Sequence, residues 1–426
     1  MNDKSTPATK IQAEGDQLKV VILNQYFVPD VASTGHLLFE LSEKLASGGA
    51  KVTVLTCRPS YGPPESWQDC PRNEYTNGVR VKRLWSTRLS KNSIIGRVLN
   101  SITFLLPLAL LHVLPRRRGE VFLYTTNPPY LGFVGAFVSL LKRHNYVVLL
   151  HDSYPELAVW VGKVRKNGVI DRIWRWCNRI MYKRARQTIV LSEAAKRLVC
   201  NNYGPEPDRV QVIPNWADPN KLKPKPKTKS RFANQHGLVE PFTVLYSGNL
   251  GMYYEFNMLL EGAEQLKDEN FRLVFIGAGA QYKVLSNHIE KSEITNIQLH
   301  PYQPQLQFND TLNCCDALIV TIAEGIDGIS FPSKLYTSLS VGRPIIAFSP
   351  PNSELRLIVE QNDVGTWLET DDTEGFVDCI RNMMSNPEEV QATGIRSRQL
   401  LETKYSIDTA SKGYFNVLRK AYDATR

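Results

Sequence analysis

The stretch Ser330-Phe331-Pro332-Ser333-Lys334-Leu335-Tyr336 carries the sharpest chemical signal in this chain. Pro332 and Ser333 predict a helix start, because proline fixes φ and a serine oxygen can accept from the free backbone N–H groups. Lys334 then falls in the first turn, where the helix dipole disfavours a cation unless an anion shares the spot. An ordinary capped surface helix with a solvated lysine is the competing reading. A second group, His151-Asp152-Ser153-Tyr154-Pro155-Glu156, follows the apolar run Tyr146–Leu150. A histidine beside carboxylates can position a substrate hydroxyl or stabilise charge, although helix capping by Asp152 and Ser153 explains the same residues. Two glycine turns, Ser247-Gly248-Asn249-Leu250-Gly251 and Gly277-Ala278-Gly279, would let backbone approach a phosphate or ribose, or would simply be tight turns. Neither completes a dinucleotide fingerprint or a P-loop. Ser33-Thr34-Gly35 is a similar feature near the N-terminus, after the loop Asn24–Asp30.

The elements that must hold these residues are legible as alternating runs. Strands are predicted at Lys19–Leu23, Val52–Thr56, Val79–Leu84, Val121–Tyr124, Tyr146–Leu150, Thr188–Leu191 and Val210–Ile213. A helix at Thr34–Ser47, stopped by Gly48-Gly49, makes the first unit a strand–helix–strand crossover. Lys221 to Arg231 interrupts with six basic residues around Pro224 and Pro226, which predicts a solvated linker or interdomain loop. A second alternating half follows, with strands at Phe242–Tyr246, Arg272–Ile276, Ile297–His300, Ala317–Thr321 and Pro344–Phe348. Its helices are expected at Glu255–Leu266, Gln281–Ser292, Pro304–Cys314, Ser333–Val341 and Thr373–Met384, and a last one at Asp408–Tyr422. The fold class is therefore α/β: two Rossmann-like, doubly wound parallel-sheet domains facing a cleft, with ligands expected beyond the strands' carboxyl ends. The expected layout is a disordered tail at 1–18, a first domain at 19–215, a basic linker at 216–240, a second domain at 241–405 and a helix at 406–426 that could cross back.

Bulk composition narrows the class. A chain of 426 residues suits two domains, and 42% hydrophobic with 22% charged residues describes a globular protein. The seven cysteines (57, 70, 177, 200, 314, 315, 379) have no metal-ligand spacing, so they are expected to be reduced thiols with no metal site. The net charge of +9 is not organised with aromatic residues along the linker, which argues against nucleic acid. Ile102–Leu114 is apolar, contains Pro107 and ends in Arg116-Arg117-Arg118, but it is too short to span a bilayer. In Val169–Lys183, Ile170, Ile173, Trp174, Cys177, Ile180 and Met181 share one face while Arg172, Arg175, Arg179 and Lys183 line another. Such a helix fits an anionic membrane surface, or else packs its apolar face in the core.

Taken in order, several motifs resemble the retaining nucleotide-sugar glycosyltransferases of family 4. They are Ile22–Asp30, His151-Asp152 with Pro155-Glu156, Leu191-Ser192-Glu193, Val212-Ile213-Pro214-Asn215, Tyr246–Gly251, and Phe331–Tyr336 with Gly342-Arg343-Pro344. The likeness spans Lys19 to Tyr422 and is nearest to the branch that builds colanic-acid-like and O-antigen-like polysaccharides on lipid carriers. It implies a GT-B fold, with the donor mainly on the second domain and the acceptor on the first. It further implies Gly248 and Asn249 near the diphosphate or sugar, Gly277 near base and ribose, and Lys334 on the phosphates. Ser330, Ser333, Leu335 and Thr337 would line the donor around Lys334. His151 and Asp152 would face the sugar and the incoming hydroxyl, and Gly35 would let a first-domain loop close over the donor. The donor is expected to be a UDP or GDP sugar, with no other cofactor. The acceptor would be lipid-linked or a saccharide, and the protein would sit in the cytoplasm, peripherally on the inner membrane leaflet. Thr337 stands where the family has a ribose-binding glutamate, and Ile329 stands at the earlier glutamate position; Glu324 and Asp327 are the nearby carboxylates that could substitute. Met252, Tyr253 and Tyr254 occupy the place of a diphosphate-binding Arg or Lys. A non-catalytic sugar-nucleotide-binding subunit and a GT-B epimerase are the alternatives, with a nicotinamide-dependent oxidoreductase behind both.

Overall fold

The computed structural model describes residues 17–30, 32–61, 67–89, 94–113, 119–141, 144–251, 256–292 and 294–424. The first part of the chain runs β1 (Lys19–Leu23), α1 (Ser33–Ser47), β2 (Lys51–Cys57), β3 (Asn73–Thr76), β4 (Val79–Leu84), α2 (Ile94–Val113), β5 (Val121–Thr125), α3 (Leu131–Leu141), β6 (Tyr146–Leu149), α4 (Glu156–Trp160), α5 (Val169–Arg184), β7 (Gln187–Val190), α6 (Glu193–Tyr203) and β8 (Val210–Val212). The second runs α7 (Arg231–Gln235), β9 (Phe242–Asn249), α8 (Asn257–Gln265), β10 (Phe271–Ala278), α9 (Tyr282–Lys291), β11 (Ile297–His300), α10 (Phe308–Leu312), β12 (Ala317–Thr321), α11 (Lys334–Ser340), β13 (Ile345–Phe348), α12 (Glu354–Gln361), β14 (Gly365–Leu368), α13 (Thr373–Ser385), α14 (Pro387–Leu400) and α15 (Ile407–Asp423). The two sheets have the strand orders β3-β4-β2-β1-β5-β6-β7-β8 and β11-β10-β9-β12-β13-β14. Every pairing recorded in them is parallel except β3 with β4.

The chain packs as two compact units. One comprises residues up to 149, 184–188 and those from 414 onward; the other comprises 150–183 and 189–413. In the first unit β1 pairs with β2 and β5; β1 and β5 are almost wholly apolar and buried, as strands covered on both faces must be. Leu38, Leu41 and Leu45 form the buried stripe of α1, and Gly49 turns the chain back at φ 92°. In the second unit the inner face of the six-stranded sheet joins α11 in a core that includes Val320, Phe331, Leu335, Leu339 and Ala347. The opposite face packs Tyr246, Phe256, Phe275, Phe348 and Phe376 together.

Several elements differ from the sequence reading, each for a physical reason. The edge strand β3 is polar throughout, and the Asn77-Gly78 turn (φ 47° and 79°) folds it antiparallel onto β4. The apolar run beginning at Ile102 is the second half of a longer helix, α2, with Pro107 inside it. The expected helix 304–314 is a 3-10 turn at Gln305–Gln307 followed by the short α10. The basic stretch from Lys221 exposes most of its side chains, yet its backbone is fastened: Lys223 N–H donates to Asn309 Oδ1 (2.9 Å) and Lys225 N–H to Asn313 Oδ1 (2.7 Å), while Lys227 bonds Asp316 and the Pro241 carbonyl. The tail at 1–16, Arg116–Arg118 and residues 252–254 lie outside the described residues.

Candidate active site

The second unit builds a turn at the carboxyl ends of β9 and β10. In-register pairing sets Gly277 opposite Gly248 and Ala278 opposite Asn249. A Cβ on Gly277 would strike the Gly248 carbonyl, so glycine is required there by the close approach of two backbones. Gly248 is at φ 145°, and a Cβ on it would lie 3.6 Å from Lys334 Nζ. Tyr246 shares the face of Gly248, two residues back along β9, and its ring centroid lies 3.7 Å from Lys334 Nζ. The Tyr246 hydroxyl donates to the Asn249 carbonyl (3.0 Å), which pins the turn. A lysine, an aromatic face and a bare glycine backbone are thereby gathered at one strand end.

Burial dominates the electrostatics of this lysine. Its Nζ is shielded from solvent, and that desolvation pushes the ammonium pKa down to about 7. The Tyr246 ring face offsets part of the cost of keeping the charge. An anion at Gly248 would do more, because it would stabilise the protonated form directly.

The helix start departs from the expected cap. Ser333 has helical backbone angles (φ −61°, ψ −21°) and its side chain makes no capping bond. Where serine does cap here, at Ser192, the backbone is extended (φ −154°, ψ 159°) and the hydroxyl accepts from Ala195 N–H at 3.0 Å. The helical angles of Ser333 aim its oxygen away from the next turn. Leu335 is fully buried in the core, and its N–H donates to the Pro332 carbonyl (3.2 Å). Thr337 Oγ1 donates to the Lys334 carbonyl (3.0 Å), so its hydroxyl is used within its own helix.

Four residues before Lys334, a second polar group assembles. Ser330 Oγ donates to Asp152 Oδ1 (2.6 Å), and Ser153 N–H donates to the Ile329 carbonyl (2.7 Å). His151 lines a small pocket there with Leu191, Ser192, Gly328 and Phe331. Burial lowers the imidazole pKa to about 4, leaving it neutral at physiological pH. Burial raises the Asp152 carboxyl, and the Ser330 hydrogen bond opposes that rise. Asp152 and Ser153 do not cap α4, whose first position follows Pro155 with no side-chain capping bond. The neutral histidine and buried carboxylate can orient a hydroxyl by hydrogen bonding.

The remaining candidates are distributed more widely. Glu324 is exposed, and its backbone carbonyl accepts from Trp160 Nε1 (2.9 Å). Asp327 is half-buried with a raised pKa, chiefly from desolvation, and it faces Glu354 N–H (3.4 Å). Asn249 is exposed at the tip of its turn. Gly35 belongs to the first unit, where a Cβ on it would lie only 3.2 Å from the Tyr26 carbonyl oxygen and Phe27 Cα. Three neighbouring residues have no role assigned from the sequence: Tyr246 under the lysine, Trp160, and Glu354, whose carboxylate accepts from Ala194 N–H (3.0 Å). Only Tyr246 had a local signal, its same-face spacing from Gly248. Among the described residues no group of three His, Cys, Asp or Glu is placed to hold a metal ion.

Comparison with known proteins gives this geometry its family. Residues 35–216 match the Glycosyl transferase 4-like domain, and residues 228–400 match Glycosyl transferases group 1. The chain belongs to this glycosyltransferase family. Lys334, Tyr246, Gly248 and Gly277 all lie in the group 1 segment, and His151 and Asp152 in the 4-like segment. The chain is 25% identical over 354 residues to "Probable glycosyltransferase WbjE" of Pseudomonas aeruginosa, covering 82% of this chain and 84% of that one. It is 21% identical over 380 residues to "Putative colanic acid biosynthesis glycosyl transferase WcaI" of Escherichia coli (strain K12), covering 87% of this chain and 93% of that one. Its fold matches sucrose-phosphate synthase from Thermosynechococcus elongatus with a TM-score of 0.77 at 14% identity, over 96% of this chain and 100% of that one. Anabaena HepE, solved in complex with UDP-glucose, matches with a TM-score of 0.68 at 15% identity, over 94% and 99%. The glycosyltransferase is thus an α/β protein of GT-B fold.

Proposed function

We propose that this glycosyltransferase moves a hexosyl group from a nucleoside-diphosphate sugar to a lipid-linked or saccharide acceptor in cell-surface polysaccharide biosynthesis, with retention of anomeric configuration. The observation that carries the proposal is Lys334 Nζ, buried between the Tyr246 ring and the Gly248 backbone. The physical demand of the reaction is to stabilise a departing diphosphate, and a desolvated cation beside exposed backbone meets it. Gly277 and Gly248 leave room for the nucleotide to approach, while His151, Asp152 and Ser330 orient the sugar or the incoming hydroxyl. The naming of WcaI for colanic acid biosynthesis supports the polysaccharide setting. HepE, holding UDP-glucose on the same fold, favours a UDP sugar as the first donor to try.

The reading includes peripheral contact with the cytoplasmic membrane face. No helix among the described residues is long and apolar enough to cross a membrane. On α5, Val169, Ile170, Ile173 and Trp176 are exposed beside exposed Arg172, Arg179 and Lys183. The apolar face expected from the sequence divides: Met181 is buried, Trp174, Cys177 and Ile180 are half-buried, and Ile170 and Ile173 face out. In the other unit, Ile95, Leu99, Ile102 and Leu106 run along one exposed side of α2, with Phe137, Leu140 and Leu141 exposed on α3. An exposed apolar stripe flanked by cations, as on α5, suits an anionic leaflet.

The test is a thermal-shift and hydrolysis screen across UDP and GDP sugars, followed by NMR of the anomeric product. A subset of sugar nucleotides should stabilise the protein, and the product should keep the donor's anomeric configuration. No stabilisation by any of them would sink the donor reading, and an inverted product would sink retention alone.

A further inference from the structure

Behind the His151–Asp152 turn lies a buried ionic network that the chemistry above does not use. Glu156 is almost fully buried, and its carboxylate accepts four hydrogen bonds. Oε1 takes Tyr203 OH (2.6 Å), Arg175 Nη1 (2.7 Å) and Asn202 Nδ2 (3.2 Å), and Oε2 takes Ser153 Oγ (3.0 Å). Arg175 also reaches the buried Asp171 through Nε (2.8 Å), and Asp171 accepts Asn167 N–H (2.8 Å). The same helix fastens the middle of the turn: Asn178 Nδ2 donates to the Tyr154 carbonyl (2.6 Å), and Trp174 stacks on Tyr154 at 5.8 Å.

We infer that Glu156 and Arg175 are positioning residues for sugar transfer, splinting the 151–156 turn on α5 and α6 so that Asp152 meets Ser330. A buried ion pair adds little net stability over apolar packing, because desolvation consumes most of its Coulomb energy. What it does supply is directional constraint. Ser153 is held on both sides, its hydroxyl by Glu156 and its N–H by the Ile329 carbonyl, so the carboxylate fixes the residue next to Asp152. Site groups must be held to within a fraction of an ångström, and a small misplacement is expensive in rate.

The inference rests on Asp152 facing the reacting sugar, and the experiment separates the two. Glu156→Gln keeps the shape and removes the charge, Arg175→Lys keeps the charge and removes the fork, and Asp152→Asn tests the site itself. Each is measured in the full chain for kcat, donor KM and Tm. Glu156→Gln is expected to lower kcat about tenfold or more with donor KM nearly unchanged, and Arg175→Lys to fall in between. Full turnover in Glu156→Gln while Asp152→Asn is impaired overturns the positioning role alone. Full turnover in Asp152→Asn overturns the Asp152 reading and this inference with it. Parallel losses of kcat, KM and Tm, or misfolding of Glu156→Gln beside a fully active Arg175→Lys, would reduce the network to ordinary structure and overturn it too.

Discussion

Lys334 couples its proton to whatever anion it meets. Without ligand, burial holds its pKa near 7, well below the ordinary lysine value. A diphosphate at Gly248 would raise that pKa, so binding above pH 7 must take up a proton. Donor affinity is therefore expected to be greatest at and below pH 7 and to weaken as pH rises, by up to about tenfold per unit. Calorimetry at pH 8.5, repeated in buffers of different ionisation enthalpy, should report uptake of about one proton per nucleotide bound. Binding with no proton uptake would remove Lys334 from the phosphate. The histidine behaves differently: with its pKa lowered to about 4, His151 should give the pH–rate profile no limb near 6.5. A limb there that vanishes in His151→Gln would show the imidazole to be more solvated than its burial implies.

At the level of elements, the β9–β10 turn depends on two backbones lying closer than any side chain permits. Gly277→Ala should destabilise the protein by about 1–3 kcal/mol, since the new methyl meets the Gly248 carbonyl and neither strand can retreat. Thermal unfolding should show a Tm lowered by at least about 2 °C, with donor binding weakened as well. An unchanged Tm would mean the strand ends part freely. This turn was visible in the sequence as two glycine clusters after apolar runs; in-register pairing supplies the reason Gly277 is glycine, and a φ of 145° the reason Gly248 is. Pro-Ser before a helix signals a start without fixing the backbone angles that aim the oxygen, so Ser333 precedes α11 without a side-chain capping bond. Asp152 bonding Ser330, 178 residues away, has no local signature at all. Tertiary packing decides such meetings, and one chain's residue spacing does not encode them.

Across the whole molecule, the parallel-sheet pattern was legible because buried strands such as Lys19–Leu23 and Ala317–Thr321 are short apolar runs between amphipathic helices. Three of the elements that escaped lack that contrast: polar β3, glycine-led β14, and α3, which is apolar on nearly every side. The exposed faces of α2, α3 and α5 are likewise invisible to periodicity, which marks an apolar side without saying what covers it. Charging the α5 face with Ile173→Glu and Trp176→Glu should reduce co-sedimentation with anionic vesicles about tenfold or more, leaving donor hydrolysis in solution intact. Equal sedimentation of variant and wild type would assign that face to something other than lipid. The most direct measurement on the central claim remains turnover of the preferred sugar nucleotide by Lys334→Ala against wild type, with Tm recorded for both. Turnover should fall at least about tenfold, a loss of about 1.4 kcal/mol or more in transition-state stabilisation, with the fold intact. Unchanged turnover in the folded variant would contradict the assignment of Lys334 to the departing diphosphate.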